Sequence, residues 1–112
     1  MSERSWQLYV NDMREFAHCV ALHADGFDQG LFVASGLNYD ATLRNLELIG
    51  DAANQIPEAI RATMPQIQWR QIIAVRNRVD HGYLGLDNET PWSIIRDDVP
   101  ALIVELGKLK SA

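Results

Sequence analysis

An arginine, a histidine and a tyrosine fall within one short stretch of this chain, Arg76-Asn77-Arg78-Val79-Asp80-His81-Gly82-Tyr83. A guanidinium is charged at any ordinary pH and can hold two oxygens of an anion at once. An imidazole, with an ordinary pKa of ~6.5, can give or take a proton near neutrality. The residues before the stretch, Trp69, Ile72, Ile73 and Val75, together with Val79, form one apolar stripe at roughly 100° per residue. Arg76 projects from the middle of that stripe. A cation there needs compensation, because burying it unpaired is costly. An ion pair with Glu47 or Asp51, a subunit boundary that admits water, or an anionic ligand would each serve.

These spacings predict a helix from about Gln68 to His81, stopped by Gly82. On a regular helix Arg76 and His81 point about 140° apart, so local unwinding at Gly82, or a second copy, must bring them together. A first helix is expected over about Ser2 to Leu22, capped by Ser2 or Ser5. Trp6, Val10, Met13, Ala17 and Val20 recur along it at packing intervals. The glycine-bearing connection from Ala24 to Asn38 should hold a short helix around Asp28 to Ala34. A second long helix is expected from about Tyr39 to Ile56, burying Leu46, Ile49, Ala53 and Ile56, with Arg44, Glu47 and Asp51 on its other side. Glu47 and Asp51 read as a salt-bridged or solvated face rather than as a metal site, for no third ligand accompanies them at suitable spacing.

Pro57 to Met64 reads as a short helix ended by Pro65. The last helix should start at Thr90 and Pro91, as cap and first residue, and carry Trp92, Ile95, Val99, Leu102, Leu106 and Leu109. Pro100 lies off that apolar edge and should kink this helix without breaking it. With no strand pattern anywhere, the expected fold is all-α. It is an up-and-down bundle of four main helices with one or two short ones, in a single domain over residues 1–112. Trp6, Trp69 and Trp92, with Tyr9 and Phe16, supply more large apolar surface than so small a core requires, which points to a two-fold homodimer.

The 112 residues carry a net charge of −5, which argues against a general nucleic-acid coat. The charge is uneven, however: Arg61, Arg70, Arg76 and Arg78 face a single acid, Asp80, between Arg61 and Tyr83. A local basic region can engage a phosphodiester. Cys19 is the single cysteine, so no intrachain disulfide can form, and it reads as a structural thiol at the edge of the first helix's buried face. The N-terminus lacks the apolar core of a signal peptide and no apolar run is long enough for a membrane span, so the cytoplasm is the expected location.

Arg76-Asn77, three residues, then His81, followed by Gly82-Tyr83, resembles the motif of the HepT-like toxins in the HEPN superfamily. Two flanking blocks strengthen the likeness. Asp40-Ala41-Thr42-Leu43-Arg44-Asn45-Leu46-Glu47-Leu48-Ile49-Gly50-Asp51-Ala52-Ala53 is similar to the family's second-helix signature, and Trp69-Arg70-Gln71-Ile72-Ile73 to its catalytic helix. Trp92 and Pro100 fit the last helix. Two departures stand out: Asp51 occupies a position where the family commonly has glutamate, and Asp80 adds a negative charge beside His81.

The resemblance implies a metal-independent ribonuclease, with no cofactor, acting as the toxin of a toxin–antitoxin pair in a cleft between two protomers. Residue chemistry fits that expectation. RNA cleavage needs a base for the 2′-hydroxyl, an acid for the leaving 5′-oxygen and a cation at the phosphorane. His81 is the expected acid–base group and Arg76 the transition-state stabiliser. Asn77 would orient the ring or contact phosphate, and Arg70 and Arg78 would hold RNA. The resemblance further implies a minimal nucleotidyltransferase as antitoxin partner, which attaches AMP to Tyr83. The competing expectation is a non-catalytic helical module that binds a nucleotidyltransferase and a nucleotide.

Overall fold

A computed structural model describes residues 5–75 and 89–109. Among these the structure is helical throughout, with α1 over Trp6–Ala24, α2 over Gln29–Val33, α3 over Leu37–Asn54, α4 over Glu58–Arg61 and α5 over Trp69–Ile73. A final run comprises α6 (Glu89–Ser93), a π-helical turn (Ile94–Asp98) and α7 (Val99–Gly107). The all-α expectation holds. No helix among the described residues is long and apolar enough to cross a membrane.

The helix ends follow from local chemistry. Ser5 caps α1, its hydroxyl accepting from the Gln7 N–H, which selects Ser5 over Ser2 as the cap. Asp28 caps α2, its carboxylate accepting from the Leu31 N–H at 2.8 Å. The turns before α2 and α3 pass through Gly26 and Gly36, at φ 79° and 63°, a conformation that costs any side-chain-bearing residue more than glycine. That turn starts α3 at Leu37, two residues before the expected Tyr39.

The predicted apolar faces are the buried ones. Val10, Met13, Ala17 and Val20 of α1 meet Leu43, Leu46, Ile49, Ala53 and Ile56 from α3 and its end, and Ile95, Val99, Leu102 and Leu106 from the last helix. α1 packs against both α3 and α7, while α5 lies against α3. Burying each valine, leucine, isoleucine or methionine among them contributes about 1.5–3 kcal/mol, so the pairing of these faces is the main stabilising term. Phe32, fully buried, anchors the short α2 by packing its ring against Phe27, Tyr39 and Trp92.

Two elements depart from expectation. The last helix begins at Glu89, so Thr90 and Pro91 lie within its first turn rather than at the cap and first position. Pro100 does not break it, as expected. The turn before the proline is π-helical, with the Val99 N–H donating to the Ile94 carbonyl five residues back. Proline has no N–H to offer the carbonyl four residues earlier, and widening the preceding turn accommodates its ring without ending the helix. The second departure is at α5. The helix expected from Gln68 to His81 is interrupted at Ala74, whose N–H donates to the carbonyls of Arg70 and Ile72, and Val75 is helical again; the rest of that expectation, residues 76–81, lies outside the described residues.

Candidate functional site

Of the residues with candidate chemistry, Arg70 is described. It is exposed on α5, on the side away from the core. Arg76, Asn77, Arg78, Asp80, His81 and Tyr83 lie outside the described residues, and so does the expected helix end at Gly82. The structure does describe the platform from which that stretch departs.

The platform is built from α3, α5 and the turn between α4 and α5. Trp69, at the start of α5, is buried, and its indole N–H donates to the Met64 carbonyl at 3.0 Å. That bond closes the Pro65–Gln68 turn and orients α5. At the other end of α5 the chain meets α3 at Gly50. A Cβ placed on Gly50 would stand 2.9 Å from the Ile72 carbonyl oxygen, 2.9 Å from Val75 Cγ1 and 3.6 Å from the Ile73 carbonyl oxygen. The last turn of α5 is thus seated main chain against main chain on α3. Val75 follows, 4% exposed, and the next residue in the chain is Arg76.

Next to this junction lies a groove of about 160 Å³. Its walls are apolar: Leu46 and Ile49 of α3, Ile72 and Val75, and Val99 and Leu102 of the last helix. Gln66, Gln68, Gln71, Asp98 and Glu105 supply the polar part of its lining. Glu47 and Asp51 lie on α3, half-buried and exposed respectively, and each takes part in a polar or electrostatic interaction. Arg61, part of the basic segment, donates from Nε to the Ile56 carbonyl at 2.9 Å and is half-buried. It therefore serves the turn after α3 as well as contributing charge.

Two features of this region are not foreseen by the motif blocks of the sequence. Gly50 lies inside the α3 signature. The available signal was a glycine in the middle of a long helix, where it is disfavoured relative to alanine by about 0.8–1.0 kcal/mol. Such a residue usually marks a close approach. The groove had no signal of its own, since its walls come from three separated segments.

A polar clamp and a burial effect complete the electrostatics. Nδ1 of His23 lies 2.7 Å from Asn38 Oδ1, and Asn38 Nδ2 donates to the His23 carbonyl at 2.8 Å, tying the end of α1 to the start of α3. Because that amide nitrogen is committed to the carbonyl, its oxygen faces the ring, and His23 Nδ1 is the donor. Burial, and to a smaller degree the neighbouring Asp40, pushes the Tyr39 phenol above its ordinary range. On the exposed π turn, the Arg96 guanidinium holds the Asp97 carboxyl below its ordinary value through their hydrogen bond.

Comparison with known proteins decides the family. The description "Ribonuclease HepT-like" matches residues 7–109. The chain belongs to the HepT-like ribonuclease family. A relative in Methanocaldococcus jannaschii, named provisionally as an RNase, is 30% identical over 106 residues, covering 95% of this chain and 97% of the relative. A Thermococcus cleftensis protein named "Probable ribonuclease HepT" is 28% identical over 108 residues, covering 96% of this chain and 98% of its own. No solved structure matches. As a HepT-like protein the chain is a ribonuclease, and the resemblance read from its motif blocks holds at the level of family and enzyme class.

Proposed function

We propose that this HepT-like ribonuclease cleaves RNA internally and without a metal ion, as the toxin of a toxin–antitoxin pair, with Arg76 and His81 as its catalytic residues. The observation that carries this reading is the motif itself, Arg76-Asn77 and His81, in a chain that matches the family over residues 7–109. His81 takes the proton of the attacking 2′-hydroxyl or protonates the leaving 5′-oxygen. The Arg76 guanidinium meets the charge that grows on the phosphorane oxygens. Asn77 orients the histidine or contacts phosphate, and Arg78 and the exposed Arg70 hold the RNA strand.

The unit of activity in this proposal is a two-fold homodimer. What supports it is the apolar groove that reaches Val75, one residue before Arg76. A second copy seated there would cover apolar wall and bring motif to motif, supplying two arginines and two histidines to one cleft. A minimal nucleotidyltransferase is the proposed antitoxin, acting on Tyr83. The whole chain forms one domain and works in the cytoplasm.

The deciding assay is cleavage of a defined RNA by purified protein in the presence of chelator. Arg76→Ala and His81→Ala should each lose at least a hundredfold in kcat while remaining folded. Cleavage at the wild-type rate by either variant removes that residue from the site. Binding of RNA or a nucleotidyltransferase with no cleavage by the wild type would favour the non-catalytic module.

A further inference from the structure

We infer that Gly50 is a positioning residue for the RNA-cleaving segment, a role that rests on the assignment of Arg76 and His81 above. Among the described glycines Gly50 stands apart. Gly26 and Gly36 have open space where a Cβ would go and are required by their positive φ, Gly107 is open, and Gly30 meets only the Asp28 carboxylate at 3.7 Å. At Gly50 the conformation is helical and the restriction is space.

Two of the three atoms that a Cβ would meet are the main-chain oxygens of Ile72 and Ile73. They cannot rotate aside as a side-chain end can. The Ile72 carbonyl also accepts from the Ala74 N–H, which caps α5. Displacing that carbonyl would displace the turn built on it. Val75 Cγ1 is the third atom, and Val75 is the buried residue that carries the chain to Arg76. Successive Cα atoms are about 3.8 Å apart, so the depth at which the end of α5 meets α3 fixes Val75, the residue to which Arg76 is joined. A glycine runs against helix propensity in this position. Its use follows from the need to seat the departure point of the catalytic stretch directly on the α3 main chain.

Cleavage is sensitive to such a shift, because misplacing reacting groups by about 1 Å costs on the order of a hundredfold in rate. The test compares wild type, Gly50→Ala, Val75→Ala, the double variant, and the distant core truncation Val20→Ala. Cleavage of one RNA oligonucleotide is measured with kcat and KM separated, and folding is followed by circular dichroism and thermal melting. Gly50→Ala should lower kcat by about ten- to a hundredfold with KM changed by less than about threefold. Removing the opposing methyls should recover part of that loss in the double variant. Val20→Ala should melt earlier yet keep wild-type kcat at temperatures below its transition.

A folded Gly50→Ala with wild-type kcat overturns the role, as does a loss that the double variant leaves unrelieved. Should Gly50→Ala fail to fold at the assay temperature, Val75→Ala alone decides. It should reduce kcat with KM little changed, and wild-type kcat overturns the inference. Undiminished cleavage in both Arg76→Ala and His81→Ala would sink the active-site assignment and this inference together. Loss in those two beside an unaffected Gly50→Ala sinks the positioning role alone.

Discussion

Tyr83 follows the proposed acid–base residue by two positions, close enough in sequence for one added group to silence the site. A phosphodiester on its oxygen would bring a negative charge and a nucleoside to the site proposed for Arg76 and RNA. Co-expression with an active minimal nucleotidyltransferase should therefore add the mass of one AMP to the wild type and abolish its cleavage. Tyr83→Phe should keep its unmodified mass and remain active beside the same partner. An unmodified wild type in that experiment would dismiss this route of control. At the same scale, the motif residues were legible because their chemistry is carried by side-chain type and interval. Gly50 was not, because its contribution is the absence of atoms at one contact.

Among the elements, the junction between α1 and the end of α7 is the clearest case of a helix terminus held by a distant side chain. The Arg14 guanidinium donates to the Leu106 carbonyl at 3.1 Å from Nε and 2.8 Å from Nη2, and to the Leu109 carbonyl at 2.6 Å. Its remaining nitrogen donates to Asn11 Oδ1 at 2.7 Å. A cation at a helix C-terminus satisfies carbonyls that have no partner within the helix and opposes the negative end of its dipole. Arg14→Met keeps most of the apolar stem and deletes the donors. It should lower unfolding stability by about 1–3 kcal/mol in urea titration, with the slope m unchanged. A change within about 0.5 kcal/mol would mean that water replaces the guanidinium without loss. The existence of α1 and α7 could be read from periodicity, but this clamp could not, since its partners are more than ninety residues apart.

For the molecule as a whole, the proposed dimer has its own test. Ala101 is exposed and lines the groove beside Val99 and Leu102. Ala101→Glu would put a charge into an apolar contact without touching the monomer's core. The wild type should sediment as a dimer, and the variant should shift to monomer with its helicity unchanged and its cleavage reduced at least tenfold. A monomeric wild type that cleaves RNA at full rate would end the two-protomer model.

Intervals of three and four between apolar residues determined the all-α class and the faces of α1, α3 and the last helix. Each depends on neighbours within a turn or two, the range over which side-chain order in a helix acts. The motif blocks likewise carried the family, because residue type and spacing are themselves the signal. Tertiary packing decided the rest: where α5 is interrupted, how closely its last carbonyls meet Gly50, and which walls form the groove at Val75. No glycine or proline marks the interruption at Ala74. It depends on two helices meeting across the core, and that contact is a property of their arrangement in space rather than of either stretch alone.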